Sequence, residues 1–132
     1  MHIDLHPHNI LITENAASII DLDSIYIANP LTSIGFSYFK LMRQDIANET
    51  HTKLSKKLFL DNVNKSNQGL SFTLSDSLLF VKKEVMRRFL FILQENIKNG
   101  SSKWNNVLKT QICGMHEIDF IFSSKNNHKY II

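Results

Sequence analysis

Hydrophobic periodicity in this chain changes once, at Asn29-Pro30, and that change limits the folds open to it. Before it lie two short apolar runs, Asn9-Ile10-Leu11-Ile12-Thr13 and Ala17-Ser18-Ile19-Ile20-Asp21-Leu22, linked through the polar Glu14-Asn15. Two such runs with a short polar link predict a hairpin. After Pro30 every apolar pattern has helical spacing. Ile34, Tyr38, Leu41 and Met42 recur at turn intervals, widened by Phe36 and Phe39, and Pro30 suits the first turn. Leu54, Leu58 and Val63 mark a second helix that fades in Asn64-Lys65-Ser66-Asn67-Gln68-Gly69. Leu79, Phe80, Val85, Met86, Phe89, Leu90 and Leu93 mark a third, capped by Ser75 or Asp76 and ended near Asn99-Gly100. A fourth begins around Ser102, carries Trp104, Val107, Leu108 and Ile112 on its apolar side, and pauses at Gly114. The expected fold class is α+β, mainly α: a hairpin part (1–29) followed by a helical part (30–132). Two strands alone make a marginal sheet, so the hairpin must lie on the helices or on another body.

Composition narrows the function classes. With 132 residues, 43% of them apolar and 20% charged, the chain is a globular domain or part of a larger one, not a disordered segment. One cysteine, Cys113, excludes a disulfide framework and any multi-thiolate metal site, and on an apolar helix face it is expected in the core. No apolar run approaches the roughly 18–20 residues of a membrane span, and Met1-His2-Ile3-Asp4 does not open a signal peptide. A cytoplasmic protein with no membrane partner is expected. Residues 1–50 carry two basic and six acidic side chains; residues 51–132 carry thirteen and six. The one dense basic group, Lys82, Lys83, Arg87 and Arg88, spreads over more than one helical face. It reads as a solvated rim, so no nucleic-acid partner is expected.

Chemistry concentrates at the front, in His2-Ile3-Asp4-Leu5-His6-Pro7-His8-Asn9 and Ile19-Ile20-Asp21-Leu22-Asp23. Asp4 and Asn9 precede the first strand, and Asp21 ends the second. A hairpin brings the loop before its first strand beside the end of its second, so the three can converge on one edge. Two carboxylates and a carboxamide oxygen are hard ligands suited to Mg²⁺. Phosphoryl transfer to a hydroxyl calls for the same parts: an aspartate to take the proton and a metal to neutralise the phosphates. His2, Asp4, His6 and His8 also alternate as a zinc-binding strand would, but Pro7 interrupts the stretch and zinc sites draw on separated elements.

The pattern H-x-D-x-x-x-x-N followed by an aspartate after a further strand is that of kinase catalytic loops. Three fixed residues at fixed spacing arise by accident in roughly 1% of chains of this size. The stretch His2-Ile3-Asp4-Leu5-His6-Pro7-His8-Asn9-Ile10-Leu11, with Ile20-Asp21, resembles the aminoglycoside phosphotransferase and choline kinase-like small-molecule kinases. Their members carry a histidine-glycine-aspartate loop, a His-Pro pair, Asn-Ile-Leu and then an isoleucine-aspartate turn. The resemblance is close over residues 1–36 and architectural beyond. It implies a protein-kinase-like C-terminal lobe, with a catalytic hairpin followed by helices that shape an acceptor pocket. It implies Asp4 as the catalytic aspartate, Asn9 and Asp21 as ligands of Mg²⁺ on ATP or another nucleoside triphosphate, and His2 as a structural residue under the loop. The partner it implies is a small-molecule hydroxyl acceptor. Asp23 would shape the turn by a hydrogen bond or make a second metal contact.

Two positions depart from the family pattern. At the first helix the family continues Asp-Pro-x-x-Asp-Leu-Ala, with the second Asp buttressing the catalytic loop; here the stretch is Asn29-Pro30-Leu31-Thr32-Ser33-Ile34-Gly35, and Ser33 replaces the carboxylate. The loop also begins at residue 2, with no G-x-G-x-x-G, no G-x-x-x-x-G-K-[ST] and no lysine-bearing strand to grip a nucleotide. The expectation is a truncated catalytic lobe whose N-terminal nucleotide lobe is missing and is supplied in cis or in trans. Alone, it would be inactive. The alternatives are a non-catalytic remnant or interaction module of a kinase, or one chain of a two-chain enzyme.

Overall fold

Asn29 and Pro30 divide the molecule where the sequence period changes. The computed structural model describes residues 2, 4, 5, 7–47, 56–66, 71–100 and 103–123. Ahead of the division, β1 (Ile10–Ile12) pairs antiparallel with β2 (Ala17–Ile19), in the register Ile10 to Ile19, Leu11 to Ser18 and Ile12 to Ala17. Thr13 closes the turn: its N–H donates to the Ala16 carbonyl at 2.8 Å, and its hydroxyl oxygen accepts from the Ala16 N–H at 3.1 Å. A bond from the Ile20 N–H to the Asn9 carbonyl, 2.9 Å, extends the ladder to the residues flanking both strands.

Behind it run α1 (Pro30–Ala47), α2 (Lys56–Ser66), α3 (Leu74–Asn99) and α4 (Asn105–Ser123). Asn29 caps α1, its Oδ1 accepting from the Leu31 N–H at 2.9 Å, and Pro30 fills the first helical position where an N–H would have no partner. Thr73 caps α3 in a reciprocal box with Asp76. The cap thus lies two residues before Ser75 and three before Asp76, and Asp76 is its third-position partner. Gly100 ends α3 in the left-handed conformation (φ 58°), as its place after Asn99 predicts.

The core lies between α1, α3 and α4, where Phe36, Tyr38, Phe39, Leu74, Val81, Val85, Ile118, Ile121 and Phe122 are buried. Each such side chain contributes about 1.5–3 kcal/mol. α2 adds Phe59 and Leu60 at the margin, with the Phe59 ring 5.2 Å from that of Tyr38. Gly35 lets α1 meet α3 closely: a Cβ there would fall 2.6 Å from the side chains of Ser77 and Val81.

Several sequence expectations are corrected by this packing. α4 runs without a pause through Gly114, which is buried and leaves room for Phe39 and Arg43. The buried line on α4 is Gly114, Ile118, Ile121 and Phe122, so Cys113, Trp104 and Ile112 are exposed instead of core. On α3 the inward line is Leu74, Ser77, Val81, Glu84 and Val85; Leu79, Met86 and Leu90 face outward. Leu54 of the second helix, Ser102, His6, His51 and His128 lie outside the described residues. Among the described residues no helix is long and apolar enough to cross a membrane. The described residues form a small, mainly helical α+β fold of four α-helices and a two-stranded antiparallel sheet.

Candidate active site

The loop ahead of β1 is built on His2. The Asp4 N–H donates to His2 Nδ1 at 3.3 Å, so the proton belongs on Nε2, which donates to the carbonyl of Asp21 at 3.0 Å and lies 3.3 Å from that of Ile20. His2 also bridges Ile25 through the backbone. One imidazole therefore ties the loop before β1 to the chain leaving β2. Both ring nitrogens are spent on backbone, as suits a structural residue.

Asn9 completes the junction. It is buried at the end of the 3₁₀ turn Pro7–Asn9, and its amide nitrogen donates to the Asp4 carbonyl at 3.0 Å and to Asp21 Oδ2 at 3.4 Å. Asp4, Asn9 and Asp21 are therefore brought together at the open end of the hairpin. Asp21 adopts the left-handed conformation (φ 61°, ψ 58°), alone among the described non-glycine residues. Aspartate tolerates that region better than most residues because its short side chain finds local partners. Asp23 follows in the 3₁₀ turn Leu22–Ser24 with an exposed side chain. The turn-shaping hydrogen bond expected of it is not found among the described residues.

Ser33, in the first turn of α1, donates its hydroxyl to the His2 carbonyl. The serine hydroxyl therefore ties the first turn of α1 to the loop that carries Asp4.

The sequence reading missed the helical side of the site. Arg88 Nη1 of α3 donates to Asp4 Oδ1 at 3.2 Å, and Lys40 Nζ of α1 lies 3.7 Å from the same oxygen. Both cations flank the Phe36 ring, at 4.4 Å for the Arg88 guanidinium and 5.7 Å for the Lys40 ammonium. Arg88 is itself held by Glu84, whose carboxylate accepts from Arg88 Nε and from Arg87 Nε and Nη2, each at 2.8 Å. The basic group on α3 is thus not a uniform solvated rim: Arg88 is largely covered, while Lys82 pairs with Asp119. The i, i+3 and i, i+4 spacing of Glu84, Arg87 and Arg88 is a legible pairing signal. Nothing local joins Arg88 to Asp4.

Burial pushes the Glu84 carboxyl up, but the hydrogen bonds and charges of Arg87 and Arg88 more than offset it and hold it below the usual value. The Glu84 hydrogen bond raises Arg87. Burial lowers the Lys40 ammonium; Asp4 opposes this, and the charges of Arg88 and Arg43 assist it.

Asn9 and Asp21 are the residues of the hairpin mouth that could hold Mg²⁺. Both bonds from the Asn9 amide use its nitrogen, so its carbonyl oxygen and the Asp21 carboxylate are the hard donors of the hairpin mouth. Mg²⁺ is characteristically held by one or two protein carboxylates or carbonyls together with substrate phosphates and water. Among the described residues no group of three or more His, Cys, Asp or Glu is placed to hold a metal, and both ring nitrogens of His2 are bonded to backbone. Comparison of the chain with models of known families, with curated proteins and with solved structures gives no match.

Proposed function

We propose that this chain is the catalytic C-terminal lobe of a small-molecule phosphotransferase, which moves the γ-phosphoryl group of ATP or another nucleoside triphosphate to a hydroxyl. The observation that carries this reading is the Asn9 amide, bonded at once to the backbone of Asp4 and the carboxylate of Asp21. Asp4 takes the proton of the acceptor hydroxyl as its oxygen bonds to the γ-phosphorus, and the bond to the β-phosphate oxygen breaks to release a nucleoside diphosphate. Asn9 and Asp21 would hold Mg²⁺, which when bound neutralises charge on the phosphates. His2 and Ser33 keep the Asp4 loop in place. Leu11, Ile12, Leu22 and Ile27 of the hairpin region are more than half exposed, which supports a further body packing there, a nucleotide-gripping lobe in cis or in trans. The same exposed face favours a second reading, a non-catalytic interaction module.

Calorimetric titration of the full chain with Mg²⁺ and ATP tests the assignment. Asp21→Ala should weaken Mg²⁺-nucleotide binding by about tenfold or more, whereas Asp4→Ala should leave it within about twofold and remove any transfer. Equal losses of binding in both variants would contradict these roles. Mg²⁺-nucleotide binding that gives no transfer to any hydroxyl acceptor even when a nucleotide-gripping lobe is supplied would favour the module.

A further inference from the structure

Two cations, Lys40 and Arg88, approach the Asp4 carboxylate, and Arg88 is in turn paired with Glu84, which also holds Arg87. These cations form one side of the site. Its donors are not exhausted. Lys40 stands 3.7 Å from Asp4, longer than a hydrogen bond, and Arg88 reaches Asp4 through Nη1 and Glu84 through Nε, leaving Nη2 outside both contacts. Both side chains are partly open to solvent. The Phe36 ring lies against the two cations and fixes where they can stand.

We infer that the acceptor is an anionic alcohol, a short hydroxy acid whose carboxylate is bound by Lys40 and Arg88 while its hydroxyl meets Asp4. This rests on the phosphotransferase reading and adds the substrate class to it. The short distances from both cations to Asp4 confine the carboxylate to one or two carbons from the hydroxyl. Arg88 Nη2 and the Lys40 ammonium can each give a charge-assisted hydrogen bond to a carboxylate, and partial burial strengthens the pairing relative to open water. A polycationic acceptor would have to set its ammonium groups against Lys40 and Arg88. The acidic balance of residues 1–50 would suggest such an acceptor, but the helices overrule it at the site by bringing two cations to Asp4. Lys40, whose ammonium is lowered chiefly by burial, gains a second counter-charge when an anion binds.

The anion's place could also be taken by the transferred phosphoryl group, and the experiment separates the two. The full chain, labelled with ¹⁵N, is titrated with sodium D-glycerate, with glycerol and with choline chloride, and separately with Mn²⁺ and with Mg²⁺-ATP. The expected result is saturable glycerate binding that shifts the amides of Phe36, Lys40 and Arg88, with no comparable shift from glycerol or choline. Lys40→Gln and Arg88→Gln should each weaken glycerate about tenfold, as loss of one charge-assisted contact does. Lys40→Gln leaves the Glu84–Arg88 pair intact and so guards against a folding artefact in Arg88→Gln. Binding of choline at these residues, no glycerate binding, or glycerate binding unchanged in both variants would overturn the inference. Loss of Mg²⁺-ATP affinity in Lys40→Gln equal to its loss of glycerate affinity would overturn it too, by giving the cations to the phosphoryl group. Mn²⁺ broadening at Asn9 and Asp21 reads the parent proposal by itself. Broadening without glycerate binding sinks only the substrate class; glycerate binding without broadening sinks the metal-dependent transfer and leaves the anion site standing.

Discussion

The Ser33 hydroxyl donates to the backbone carbonyl of His2, joining the first turn of α1 to the loop that carries Asp4. Ser33 is buried, so neither partner finds water easily when the other is removed. Ser33→Ala should therefore cost about 1–2 kcal/mol and speed hydrogen exchange at the Asp4 amide. Ser33→Asp, which restores the carboxylate of the resembled family, should be worse, since it faces the His2 carbonyl with another acceptor. Urea unfolding with amide exchange measures both. A Ser33→Asp protein more stable than the wild type would show that the loop can re-form around the family's arrangement.

Gly35 sets the distance between α1 and α3. Its absent Cβ would meet Ser77 and Val81 at 2.6 Å, and farther along the same helices stand Lys40 and Arg88, the two cations on Asp4. Gly35→Ala should lose about 1–3 kcal/mol through overpacking. A second change, Ser77→Gly, should return part of that loss by clearing the contact. Thermal melts of the single and double variants give the comparison, and a Gly35→Ala protein with an unchanged melting temperature would show that the helices can part without cost.

Acid should remove the stability that Glu84 contributes. Its folded-state pKa lies below the 4.5 of an unperturbed glutamate, since the bonds from Arg87 and Arg88 outweigh its burial. A depressed carboxyl stabilises the fold fully above its unfolded value, and that contribution fades as pH falls through the lower folded value. Glu84→Gln should therefore be less stable than the wild type at about pH 7, and the gap should narrow towards about pH 3. Denaturant midpoints across that range read the difference directly. A gap that stays constant with pH would mean that the carboxylate's charge contributes nothing.

Much of this molecule is local and so was legible along the chain. The hairpin, the entry to α1 at Asn29-Pro30 and the end of α3 at Gly100 each follow from a few neighbouring residues whose backbone preferences need no distant partner. The convergence of Asp4, Asn9 and Asp21 was legible too, because a short hairpin leaves little freedom in where its ends meet. The inward line of α3 was not. Alternative apolar stripes, one through Leu79, Met86 and Leu90 and one through Leu74, Val81 and Val85, satisfy the same period; only the contacts with α1 and α4 choose between them. The cationic side of the site was hidden for the same reason. Arg88 and Asp4 are 84 positions apart, and no periodicity links a helix face to a loop at that separation. Sequence by itself determined the hairpin, the entry to α1, the end of α3 and the three polar residues at the hairpin's mouth, since these depend on short-range geometry. Tertiary structure alone decided which helical charges meet Asp4, because the close approach of α1 and α3 at Gly35 carries Lys40 and Arg88 to it.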